Sequence, residues 1–212
     1  MSKKLYTLGE EIFNSVSHGV GTLLEIGGMV VLIVFSAIYA DAWAVVSASI
    51  YGATLTILYA MSTLYHSLTN NKAKKFFRIM DHNSIFLLIA GTYTPFTLVA
   101  LRGGLGWTLF GIVWGATVLG VIFNSINLEK YKKISLVCYI AMGWVIIMAI
   151  KPMIAALPIV SLIFLVLGGI CYTGGVVFYA IKKIRYFHSV WHLFVLAGSI
   201  LHYFSVLFMI IK

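Results

Sequence analysis

Seven apolar runs, each free or almost free of charge, fill most of the sequence and leave little choice of fold. They cover residues 19–40, broken only by Glu25, and 43–65, 84–101, 105–126, 134–150, 158–181 and 190–211. A helix needs roughly 20 apolar residues to cross a bilayer, and the runs are about that long. They are continuous rather than alternating and about twice the length of a barrel strand, which excludes a transmembrane β-barrel. Only 10% of the 212 residues are charged, against about 25% in a soluble domain, so a water-facing surface could not be covered. Soluble enzymes, disordered chains and secreted disulfide scaffolds are excluded. The reading is an all-α membrane protein, a seven-transmembrane helix bundle forming a single domain over residues 1–212.

Lys and Arg set the orientation, because short loops rich in them stay cytoplasmic. Lys3 and Lys4 precede the first run, Lys72, Lys74, Lys75 and Arg78 follow the second, Lys130, Lys132 and Lys133 follow the fourth, and Lys182, Lys183 and Arg185 follow the sixth. These are twelve of the fifteen basic residues; only Arg102, Lys151 and Lys212 fall on the other side. Seven spans then place the N-terminus in the cytoplasm and the C-terminus outside. The net charge of +9 reads as topology and membrane-surface anchoring rather than nucleic-acid binding.

Residues 1–17 carry Lys3, Lys4, Glu10 and Glu11 and no continuous apolar core, so no cleavable signal peptide is expected. Leu5, Leu8, Ile12, Phe13 and Val16 fall at helical spacing, and Thr7 with Glu10 has the spacing of a capping box. A short interfacial helix before span 1 is expected. Arg102-Gly103-Gly104 and Lys151-Pro152 read as tight external turns, and Gly91 to Pro95 as a proline kink with room for close helix approach. Cys138 and Cys171 both lie in apolar runs and read as packing residues.

In so apolar a chain, each ionisable group near hydrocarbon is expensive and a functional candidate. Ser62 and His66 close the second run; Asp81 and His82 open the third; His188 and His192 open the seventh; Glu11, Asn14 and His18 lead into the first. Five of the six histidines thus collect at one depth, on the cytoplasmic side. His188 and His192 are four apart, so on a helix they share a face, and His66 adds a third nitrogen. Three histidines with an open fourth position match a catalytic zinc site, whereas structural zinc takes four protein ligands, often thiolates. Asp81 at the same depth could hold a water and shuttle its proton, and Ser62, one turn before His66, could orient that water or the ligands. Glu11, Asn14 and His18 form a stripe that supports the site structurally. His82 is expected on another face from Asp81. His202, deeper in the seventh run, reads as an interhelical hydrogen-bond donor, and Glu25 as a buried acid of unknown partner.

These residues resemble the hemolysin III family, the bacterial branch of the progestin and adipoQ receptor family that includes the adiponectin receptors. The resemblance rests on Glu11-x-x-Asn14-x-x-x-His18 before span 1, Ser62-x-x-x-His66 followed by Asp81, His188-x-x-x-His192 opening span 7, and the Gly91 to Pro95 string. It covers nearly the whole chain. It implies Zn²⁺ near the cytoplasmic face, held by His66, His188 and His192 with Asp81 and Ser62 close by, in a multi-pass protein of the bacterial plasma membrane. The family is grouped with alkaline ceramidases, which implies hydrolysis of a lipid amide or ester and a membrane lipid (fatty acid, ceramide or phospholipid) as partner. Two alternatives stand beside that reading: a non-catalytic lipid-sensing receptor or regulator of membrane homeostasis, and a cytolysin, as the family name suggests.

Overall fold

The computed structural model describes residues 6–212, and the described residues are helical with short connections and no strand. Helix α1 spans Leu8–Tyr39, α2 Ala42–Ser67, α3 Asn71–Pro95, α4 Gly104–Trp144, α5 Ile150–Ala156, α6 Ile159–Ala180 and α7 Phe187–Ile210. Six helical stretches are long and apolar enough to cross a membrane, α4 running on through a 3₁₀ turn into α5. Large apolar side chains such as Leu23, Val30, Ile126, Met148 and Ile170 are exposed on the outside, while Asn14, His18, Ser62, His66, Asn124 and His192 are buried. A surface so apolar around a partly polar interior suits lipid rather than water, and the chain is a multi-pass membrane protein.

The expected interfacial helix and first span are one helix. Thr7 caps it as the spacing predicted: the Glu10 amide donates to Thr7 Oγ1 at 3.3 Å, and the Thr7 amide donates to Glu10 Oε2 at 2.8 Å. Nothing breaks the helix between this cap and Tyr39. At 1.5 Å per residue its 32 residues run about 48 Å, well beyond a hydrocarbon core of about 30 Å, so its first turns project past the core.

The fourth and fifth runs sit in α4, which has 41 residues and a break at Asn127, where φ is −158° and ψ 90°. Asn127 Oδ1 accepts from the Lys130 amide at 3.0 Å, capping a new helix start. The chain folds back there. Ser135 Oγ donates to Asn124 Oδ1 at 2.6 Å, and Asn124 Nδ2 lies 3.4 Å from the Tyr139 hydroxyl, whereas in a straight helix residues 124 and 135 would be about 16 Å apart. Residues 104–126 and 128–144 are therefore two antiparallel arms.

Other expected landmarks are found, with one displaced. Gly103 has φ +124° in the Arg102-Gly103-Gly104 turn, a conformation open to glycine alone, and a π-helical turn over Phe96–Ala100 follows Pro95. The turn read at Lys151-Pro152 lies instead at Leu157-Pro158: Pro152 falls in the first turn of α5, where its missing N–H would have no intrahelical partner anyway.

Helix α2 packs between α1 and α3, α3 also meets α4, and α7 packs between α1 and α6. The second arm of α4 barely touches α6. The ring of helices is thus loosest between these two, and a cavity lies behind that gap.

Candidate metal centre

The last turn of α2 and the first turns of α7 meet beside one end of this cavity. His66 occupies the last turn of α2, and His188 and His192 open α7. The start of α7 is fixed by α1: the Tyr186 amide donates to Glu10 Oε1 at 2.8 Å, and Tyr186 takes the left-handed conformation with φ +62°. A non-glycine residue there costs on the order of 1–3 kcal/mol, offset by that charge-assisted hydrogen bond. One turn later the histidines are in place.

One ligand nitrogen from each of His66, His188 and His192 lies within 4.8 Å of the others, and the Nε2 atoms of His188 and His192 are 3.2 Å apart. Two ligands on a tetrahedral zinc at 2.0–2.1 Å are separated by roughly 3.3–3.4 Å, so the pair has chelate spacing; without an ion the same spacing serves an N–H···N hydrogen bond. His66 Nε2 is buried and has no hydrogen-bond partner among the described residues, while its Nδ1 lies 2.6 Å from Glu11 Oε2. A metal-ligating histidine typically donates its other nitrogen to a carboxylate or carbonyl, and His66 is set up in this way. The three residues fit a nitrogen-preferring divalent ion such as zinc.

His18 and Asn14 are fully enclosed. The His18 ring stacks on His192 with centroids 3.7 Å apart and meets Tyr59 edge-on at 4.9 Å. Neither its ring nitrogens nor the Asn14 amide has a hydrogen-bond partner among the described residues. Glu11 has a more direct part than a supporting stripe suggests, since it touches His66 itself.

Asp81 and Ser62 line the same cavity as His18, His188 and His192. Asp81 stands outside the ligand cluster, with Oδ2 3.5 Å from His82 Nδ1. His82 also lines the cavity, against the expectation of a separate face: adjacent helical residues are about 100° apart, and the cavity is wide enough to take both. Its Nδ1 donates to the Arg78 carbonyl at 2.9 Å. Deeper, the walls turn apolar, with Ile85, Leu88, Phe96, Leu162, Leu165 and Val195, and the volume is about 220 Å³. His202 Nε2 donates to the Leu165 carbonyl at 3.0 Å, an interhelical hydrogen bond as expected. Glu25 is buried and makes no side-chain hydrogen bond among the described residues. Cys138 and Cys171 are free.

The sequence reading missed two neighbours of the cluster. Tyr6 stacks on His188 at 4.8 Å between ring centroids, and Lys74 Nζ donates to Glu11 Oε1 at 2.7 Å. Tyr6 lies just before the helix cap, where no periodicity marks it. Lys74 is one of four cations between the second and third apolar runs, and its charge is accounted for by topology.

The sequence model of a family described as haemolysin-III related matches residues 6–203. The Hemolysin-3 homolog of Bacillus subtilis (strain 168) is 45% identical over 208 residues, 98% of each chain. Hemolysin-3 of Bacillus cereus is 44% identical over 211 residues, covering 100% of this chain and 96% of that protein. The human monocyte to macrophage differentiation factor is 30% identical over 172 residues, 78% of this chain and 71% of its own.

Proposed function

This chain belongs to the haemolysin-III related family, and on that footing we propose that it is a zinc-dependent hydrolase of the bacterial plasma membrane, acting on the amide or ester bond of a lipid at its cytoplasmic end. One observation carries the reading: three histidine nitrogens that fit one ion lie together, and two of these histidines, His188 and His192, line a mostly apolar cavity that Asp81 and Ser62 also line. A purely structural zinc would normally take a fourth protein ligand, and among the described residues no fourth His, Cys, Asp or Glu joins the cluster.

Zinc, when bound, polarises a carbonyl as a Lewis acid and lowers the pKa of water to about 7. The protein's own groups do the rest. His66, His188 and His192 would hold the ion, with Glu11 behind His66. Asp81 takes a proton from the attacking water on a carboxylate oxygen as the water oxygen bonds to the carbonyl carbon, and passes it to the amine or alcohol that leaves when the C–N or C–O bond breaks. The Ser62 hydroxyl donates to the substrate carbonyl or its attacking water. The apolar wall from Ile85 to Val195 receives the acyl chain, and the loose seam between the second arm of α4 and α6 admits it sideways from the bilayer.

In the membrane each arm of α4 crosses once, which restores seven spans. Residues 104–126 alone reach about 34 Å, enough for the hydrocarbon core, and the second arm continues through Val145–Ala149 into α5. The distribution of Lys and Arg then puts the N-terminus and the histidine cluster on the cytoplasmic side.

The decisive assay incubates purified zinc-loaded protein with ceramides and with phospholipids and measures fatty acid release, with Asp81→Ala as the control. Release by wild type and its loss in the variant is the expected outcome. Equal release by both, or none by either, overturns the hydrolase reading; a fatty acid that co-purifies without turnover would favour a lipid-sensing receptor built on the same cavity.

A further inference from the structure

We infer that Lys74 and Glu11 act together as a positioning arm that fixes the tautomer and orientation of His66 and so sets how tightly the histidine cluster holds its metal. The inference rests on the metal reading of that cluster. Glu11 belongs to the first turns of α1, His66 to the last turn of α2 and Lys74 to the first turn of α3, so the arm ties three helices together.

An ammonium has three donors and no acceptor, and Lys74 uses all three. Nζ donates to Glu11 Oε1 at 2.7 Å, to the Tyr65 carbonyl at 3.1 Å and to the Leu68 carbonyl at 3.3 Å. The two carbonyls belong to the C-terminal end of α2, where a cation is favoured by the helix dipole. The Lys74 ammonium also lies 5.0 Å from the centre of the Tyr65 ring. Lys74 is thus anchored to the same helix end that carries His66, and it presents the Glu11 carboxylate to that histidine.

Glu11 Oε2 then meets His66 Nδ1 at 2.6 Å. An ionised carboxylate only accepts hydrogen bonds, so Nδ1 must carry a proton, and in the neutral imidazole that ligates a metal Nε2 is left with its lone pair. Nε2 is the atom with no partner among the described residues and the one free to ligate. Of the three histidines, His66 alone is backed by a carboxylate among the described residues; His192 Nδ1 is buried with no partner among them. The arm therefore acts on the ligand supplied by a different helix from the other two, the one whose misplacement would open the site.

The test strips wild type, His66→Ala, Glu11→Ala, Glu11→Gln, Lys74→Met and Lys74→Arg of metal and titrates each with zinc against a chromophoric chelator. Nitrogen NMR of the metal-free proteins reads the tautomer of His66, and thermal unfolding of the same samples reads folding. Glu11→Ala is expected to weaken zinc binding about 10–100-fold, the range for losing such a partner. Glu11→Gln, which keeps one amide oxygen, falls between it and wild type, Lys74→Met weakens binding less than Glu11→Ala, and Lys74→Arg restores it. His66 in metal-free wild type is expected as the Nδ1–H tautomer, a preference lost in Glu11→Ala. Wild-type zinc affinity in both Glu11→Ala and Lys74→Met overturns the inference, as does a Lys74→Met variant that loses only thermal stability, which would make Lys74 a helix cap and nothing more. If wild type binds no zinc, the metal reading falls; the arm itself is then judged by the His66 tautomer alone, and its absence in wild type overturns the arm.

Discussion

Replacing His188 by alanine tests the metal centre most directly, because the ion would link α2 to α7, helices otherwise joined largely through α1 and the Tyr59–Ser199 hydrogen bond. Zinc at a hundred times its dissociation constant stabilises the folded protein by about 2.7 kcal/mol through mass action. His188 supplies one of three nitrogens, and its Nε2 is 3.2 Å from that of His192, so its loss breaks the chelating pair. Losing a partner outside the ligand set costs up to about 100-fold in affinity, and losing a ligand should cost at least as much. At the same zinc concentration the variant would then sit near its own dissociation constant and gain only about 0.4 kcal/mol. The difference is about 2.3 kcal/mol, or about 5–9 °C at the 2–4 °C per kcal/mol of a chain this long. Circular dichroism melts in detergent, each protein compared with and without zinc, cancel the packing lost with the imidazole; metal content of the same samples gives stoichiometry. A His188→Ala protein that shows the wild-type shift, or keeps a full equivalent of zinc, refutes the ligand assignment.

Further outcomes follow from other parts of the bundle. Ser199 Oγ accepts from the Tyr59 hydroxyl at 2.8 Å and shares a hydrogen bond with the Tyr172 hydroxyl at 2.7 Å; Ser199→Ala is expected to cost about 1–3 kcal/mol in detergent unfolding titrations, and no loss would mean the two tyrosines find other partners. With Cys138 and Cys171 replaced by serine, a membrane-impermeant maleimide added to whole cells should label Arg102→Cys at once and Glu129→Cys only after permeabilisation; the reverse pattern overturns the orientation. Asp41, between α1 and α2, is held below the usual carboxylate range first by the Ala44 amide and then by Arg102. Its stabilising effect is present above the unfolded-state pKa and fades as pH falls through the lower folded-state value. The side chain is half exposed, so solvent screening keeps the effect small; Asp41→Ala should lower stability by about 1 kcal/mol at pH 7 and by less in acid, where the neutral carboxyl still accepts from the Ala44 amide but has lost its ion pair with Arg102, and a larger loss in acid than at pH 7 would contradict the linkage.

The sequence made the long helices and the histidine depth legible because hydrophobic length and charge placement are one-dimensional signals. His66, His188 and His192 emerged by the same route, since histidines in hydrocarbon-length runs are few. What stayed hidden depended on distance across the fold. The continuity of α1 could not be read, because the Glu10 and Glu11 that suggested an interface are accommodated within the helix, Glu10 by Thr7 and the Tyr186 amide, Glu11 by His66 and Lys74. The position of the turn after the fifth run was misread because Pro152 looks like a helix breaker in sequence and is harmless in a first turn. Lys74 shows the general difficulty: a cation in a basic stretch between two apolar runs is fully explained by topology, and only the folded structure reveals that it faces a carboxylate bonded to a histidine of the candidate metal cluster.

The depth of the cluster bears on what it can act on. Histidine ligands at mid-membrane would have to be carried by helix interiors, where each polar group needs a partner. Here His66 ends α2, His188 begins α7 and Asp81 lies in the third turn of α3. The histidines thus stand near the boundary between the hydrocarbon core, about 30 Å thick, and the headgroup layer that brings the bilayer to about 40–45 Å. A lipid's amide or ester carbonyl lies at that boundary, with its acyl chain pointing inward. The cavity has the matching polarity, with His188, His192, Asp81 and Ser62 towards one end and a mostly apolar lining along the rest. A lipid entering through the seam beside α6 would keep its chain in apolar surroundings throughout and bring its carbonyl to the histidines with little vertical movement. A water-soluble ester would gain nothing from the apolar walls, and the rings of Tyr6 and Tyr65 crowd His66 with centroids 5.5 Å and 4.5 Å away. On the proposed hydrolase reading a lipid is therefore the expected substrate rather than a soluble ester, and activity on short-chain soluble esters equal to that on ceramides or phospholipids would contradict it.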